Sequence, residues 1–78
     1  MTTETEPQTL IAAHEVVQRR RPASDAKLSS WLAFHQGNER IYKMVADVDR
    51  GHHHEALYWA DYERRKAGEV SAWLQSQR

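Results

Sequence analysis

Only two prolines and three glycines interrupt this sequence, and no proline follows Pro22. A long proline-free stretch keeps the helical i→i−4 hydrogen-bond ladder available. Alternating runs of β-branched residues are absent, so the period of two that a strand needs is missing as well. The few breakers fall where helices start, stop or bend. Pro7 suits a first helical turn, with Thr5 and Gln8 at capping-box spacing. Pro22 ends a helix, Ser24 and Asp25 are N-cap residues for the next, and Gly51 reads as a left-handed residue beyond a helix end. The expectation is an all-α fold: an antiparallel helical hairpin plus a shorter N-terminal helix, as a three-helix bundle or an oligomeric helical bundle. Residues 1–78 form one domain, with 1–5 flexible and helices over 6–20, 25–50 and 52–75.

The apolar residues carry the same message at 100° per residue. Leu10, Ala13, His14 and Val17 share one face of the first helix. On the second, Leu28, Trp31, Leu32 and His35 share a face, while Phe34, Ile41, Val45 and Val48 share another. The change of face falls at Gly37-Asn38. That pattern predicts a kink or one long helix serving two neighbours, and a lone glycine costs only about 1 kcal/mol against alanine. The third helix shows Ala56, Trp59, Ala60, Ala67, Val70 and Leu74 inward, and its alanines permit close approach of another helix. The first helix lies across the hairpin or packs on a second copy.

Size limits what this fold can bury. A chain of 78 residues without cysteine hides only about 60% of its unfolded surface and has no disulfide to brace it. Packing or self-association must supply the rest. With 11 basic and 11 acidic residues the formal net charge is zero. The strong prior for nucleic acid, a markedly basic domain, is therefore absent, and self-association meets no large repulsion. No run approaches the roughly 20 apolar residues of a membrane span. The first residues lack the basic and apolar regions of a secretory signal, so a cytoplasmic location is expected.

Four constellations could carry function. His52, His53 and His54 invite a metal reading, with His35 as a further ligand. Consecutive helical residues point about 100° apart, so the triplet cannot converge on one ion alone. No metal or cofactor is expected; a metal-dependent protein is the alternative that these histidines would support. Glu63 falls inside the apolar stripe of the third helix and needs a partner such as His35, Arg40 or Lys43. No second carboxylate or nucleophile is placed with it, which points away from catalysis. Arg19, Arg20 and Arg21, with Arg64, Arg65 and Lys66, are the positive clusters, and a nucleic-acid-binding regulator is the alternative built on them. Lastly, three tryptophans, three tyrosines and one phenylalanine exceed what one thin hairpin hides. Amphipathic aromatics beside cations are the usual anchors of an interface. Phe34, Trp59, Tyr62, Lys66 and Trp73 are the candidate partner-binding residues.

The segment Phe34-His35-Gln36-Gly37-Asn38-Glu39-Arg40-Ile41-Tyr42 reads F-H-x-x-N-x-x-I-Y. It resembles a pattern in small helical proteins of bacteriophages and prophages. There the asparagine is often followed by proline; here Glu39 takes that place. The resemblance implies a helical accessory protein of a mobile element, placed in the host cytoplasm, and brings no activity with it. The reading as a whole is a small non-enzymatic protein–protein interaction module. It docks aromatic helix faces on a host or phage partner, and a homodimer or higher oligomer is expected.

Overall fold

The computed structural model describes residues 6–77 and consists of three α-helices: α1 (Leu10–Arg20), α2 (Leu28–Val48) and α3 (His53–Ser76). The flexible stretch expected over 1–5, with Thr5 as a cap, lies outside the described residues. No strand occurs among the described residues. α2 and α3 form the antiparallel hairpin, and α1 packs in cis on α2.

Helix ends differ from the sequence expectation, each for a local reason. α1 starts at Leu10 instead of Glu6 because Thr9 is extended (φ −133°, ψ 160°) and its hydroxyl accepts the Ala12 N–H at 3.1 Å. That leaves Pro7 ahead of the helix. α2 starts at Leu28, since residues Ala23–Ala26 close a turn (Ala26 N to Ala23 O, 2.9 Å) that uses up Ser24 and Asp25. Lys27 is the N-cap, with no side-chain cap bond. α2 stops at Val48, where Asp49 leaves helical geometry (φ −97°, ψ 75°), and Arg50–His52 form one 3₁₀ turn into α3. Gly51 sits in that turn without positive φ. The tight turn does the work expected of a left-handed residue.

α2 runs unbroken through Gly37. Its change of face reflects two neighbours, as one of the sequence alternatives held. The core lies at the closed end of the hairpin. It joins Leu10 and Ala13 of α1, Tyr42, Val45 and Ala46 of α2, and Ala56 and Ala60 of α3, with Val17, Ile41 and Trp59 packed against it. Ala46, Ala56 and Ala60 bring the α2 and α3 backbones close. Burying Leu10 or Val45 contributes roughly 1.5–3 kcal/mol each. No helix among the described residues is long and apolar enough to cross a membrane.

Candidate functional site: a buried polar seam and an exposed aromatic stripe

The inward face of α2 is unusually polar. His35, Asn38 and Tyr42 follow at i, i+3 and i+7, the spacing of one helix face. Each meets a side chain from another helix. The His35 imidazole Nδ1 donates to Glu63 Oε1 of α3 at 2.6 Å. Asn38 Oδ1 accepts from the Arg20 guanidinium of α1, which also donates to the Phe34 carbonyl at 3.4 Å. Tyr42 Oη and His14 Nδ1 share a hydrogen bond of 2.7 Å. Asn38 is fully buried, and its Nδ2 has no partner among the described residues. Burial, then the nearby Glu63 carboxylate, pushes the Tyr42 phenol up to about 12. The phenol stays neutral at any ordinary pH.

This seam absorbs most of the F-H-x-x-N-x-x-I-Y segment. Phe34, Asn38 and Tyr42 are buried, and Ile41 packs on the core. Gly37 belongs to the same device: the Arg20 guanidinium lies where a Cβ at residue 37 would stand. The motif residues thus hold three helices in register. Glu63, 5% exposed, has the His35 partner that its position demanded. A cleft of about 100 Å³ opens beside this pair between Gln18, Arg21, Phe34 and Tyr62, and no second carboxylate lines it.

The histidine triplet belongs to the hairpin turn. His52 Nδ1 bonds Asp49 Oδ2 at 2.9 Å. His53 Nδ1 donates to the Ala46 carbonyl at 2.7 Å, satisfying an acceptor in the last turn of α2. His54 is exposed and its ring meets that of His53 edge-on. His35 is committed to Glu63. No group of three or more His, Asp or Glu among the described residues is placed to hold a metal. Within one chain His53 serves the backbone, His52 pairs with a carboxylate of the turn, and His54 faces solvent.

The arginine clusters do not merge either. Arg64 and Arg65 both pair with Asp61, on a flank of α3 where Arg64 also feels Glu39. Asp61 is held below the usual carboxylate range, first by its hydrogen bond from Arg64. Arg20 and Arg21 sit over Phe34 and Trp31, and Arg21 shares the cleft with Tyr62 on the opposite flank of α3. Arg19 is exposed at the end of α1. Among the described residues of one chain the two clusters therefore lie on different flanks.

The aromatic candidates divide by burial. Phe34 is 6% exposed and belongs to the interior, which removes it from any docking surface. Trp59 is half-buried; its ring centroid lies 5.3 Å from that of His14 and 6.3 Å from that of Tyr42. Outward from it the rings continue: Tyr58 at 5.3 Å and Tyr62 at 5.5 Å. Lys66 Nζ rests over the Tyr62 ring at 5.5 Å and reaches Glu69 at 3.7 Å. Trp73, at the open end of the hairpin, is 56% exposed and Tyr58 58%. On a helix Tyr58, Tyr62, Lys66, Glu69 and Trp73 fall within a stripe of roughly 80°. Tyr58 is the member that sequence reasoning left out, although its period with Tyr62 and Lys66 was there to be read.

No protein-family model matches the chain, and comparisons with curated proteins and with solved structures return no match.

Proposed function

We propose that this chain is a non-enzymatic interaction module that self-associates through the outer stripe of α3. The observation that carries the reading is the order of that stripe. Tyr62, Lys66, Glu69 and Trp73 run aromatic, cation, anion, aromatic, at spacings that are the same read from either end. Two such helices related by a two-fold axis and packed antiparallel would place Lys66 against Glu69 of the second copy. Tyr62 would then meet Trp73 of that copy. A twofold interface needs a self-complementary patch of this kind. Zero net charge leaves no bulk repulsion to oppose it, and large rings left in water stand to gain from burial.

The likeness of Phe34–Tyr42 to phage and prophage proteins supports an accessory role, in which the paired module engages a host or phage partner. Dispersal of the arginines weighs against a nucleic-acid regulator. Thermal unfolding followed over a wide range of protein concentration tests the proposal. The melting temperature rises with concentration, because only the folded state associates. In Trp73→Ser it becomes independent of concentration. A melting temperature of the unaltered chain that ignores concentration contradicts the proposal.

A further inference from the structure

On the side of α1 away from α3, α1 and α2 bound a groove of about 350 Å³. That size lies within the roughly 300–1,000 Å³ of small-molecule sites. Its walls include Val16, Ile41 and Met44, all half-buried, with Arg20 and Arg40 beside them.

The two arginines differ in a useful way. Arg20 is anchored by neutral groups alone: the Phe34 carbonyl, the Asn38 amide oxygen and the Phe34 ring, 5.8 Å from its guanidinium carbon. The glycine at 37 makes room for it. Its charge is therefore fixed in place with no carboxylate bonded to it among the described residues. Arg40, on the turn of α2 after Gly37, is exposed and has no ion pair or hydrogen bond among the described residues. Among the described residues Glu6 is the one acid that lines the groove, and it forms no ion pair with them. Among the described residues, two cations against one anion above an apolar wall describe the complement of an amphiphile with a negative head.

We propose that this groove binds a small amphipathic carboxylate, its head on Arg20 and Arg40 and its apolar body on Val16, Ile41 and Met44. Guanidinium groups suit carboxylates because their planar forks match two oxygens at once. An anchored fork has also lost part of its rotamer freedom before the ligand arrives, which lowers the cost of binding. Glu6 opposes the ligand head across the groove and tempers its affinity.

Titration of the full chain with octanoate, octanol, octylammonium and acetate, followed by methyl and amide NMR shifts, tests this. Octanoate is expected to shift Val16, Ile41 and Met44 and to bind at least about tenfold more tightly than the other three, a gap of about 1.4 kcal/mol. Arg40→Glu, whose side chain supports nothing in the fold, lowers octanoate affinity by at least the same factor with an unchanged melting temperature. Glu6→Gln raises it a few-fold. The ligand series on the unaltered chain stands even if a variant folds poorly. Octanol binding as tightly as octanoate overturns the proposal. So does an unaltered affinity in Arg40→Glu, shifts centred on Trp73 and not on the groove, or no binding at millimolar octanoate.

Discussion

Gly37 shows how one residue can serve its helix and its neighbour in opposite ways. Alanine there would favour α2 by about 1 kcal/mol on propensity alone. Its Cβ, however, would collide with the Arg20 guanidinium, and moving that group strips the buried Asn38 of its single hydrogen bond. A buried amide left unsatisfied costs about 1–3 kcal/mol. Gly37→Ala is therefore expected to be neutral or destabilising in the native chain. In an Arg20→Ala background it stabilises by about 1 kcal/mol. Urea unfolding of the four-member cycle reads both numbers. The His35–Glu63 pair makes a second test at this scale. Glu63→Ala leaves the His35 ring N–H, with only 15% of the side chain exposed, without its acceptor, and the loss is expected at about 1–3 kcal/mol. Replacing both residues with apolar ones of similar volume, Glu63→Met with His35→Leu, recovers most of that loss, again by urea unfolding. Recovery would identify the pair as a device of register, not a source of net stability.

At the scale of elements, α1 is fastened to the hairpin by a contact 39 residues apart in sequence. Asp49 Oδ2 accepts the Leu10 N–H at 2.9 Å, placing a carboxylate on the N-terminus of α1, where the helix dipole favours negative charge. That hydrogen bond is the first cause holding Asp49 below the usual carboxylate range, with His52 adding to it. A carboxyl whose folded pKa is depressed stabilises the fold above its unfolded value, about 4. The stabilisation fades as pH falls through the folded value. Asp49→Asn is therefore expected to melt below the native chain near neutral pH, and the gap should close in acid. Melting by circular dichroism from pH 7 down to pH 2 checks the sign. The three helices and the inward face of α3 were legible from period alone, with Glu63 in the apolar stripe. Period leaves its partner among His35, Arg40 and Lys43. It also gives α2 a face that includes Val48, which is exposed, and lacks the buried Asn38 and Ala46. The caps were not legible. Ser24 and Asp25 have ideal cap chemistry, but the turn after Pro22 uses them. Asp49 looks like an ordinary residue at a helix end, since nothing local marks it as the cap of α1. Long-range pairs of this kind leave no periodic trace.

At the scale of the whole molecule the chain divides its aromatics between two tasks. Phe34, Tyr42 and Trp59 line or edge the interior, whereas Tyr58 and Trp73 stand more than half exposed. The surplus of rings was visible in composition; which of them were surplus was not, because α1 covers one flank of the hairpin and leaves the stripe on α3 open. Period and composition alone therefore group Phe34 with the docking residues, although it is buried. Lys66 and Glu69 already pair within one chain at 3.7 Å, and that pair survives exchange of their positions. The intermolecular pairing survives it too, because the two-fold axis sets residue 66 against residue 69 of the other copy in both directions. Sedimentation equilibrium of the native chain, Lys66→Glu, and the exchanged double variant Lys66→Glu with Glu69→Lys reads the association itself, which a pair within one chain does not drive. The account predicts a concentration-dependent mass for the native chain. Association should be weakened by roughly ten- to a hundredfold in affinity in Lys66→Glu, as two exposed pairs of about 1 kcal/mol each become repulsive. Association should return in the double variant. A native chain that sediments as a single copy at every concentration, or a Lys66→Glu variant that associates as well as the native chain, would contradict it.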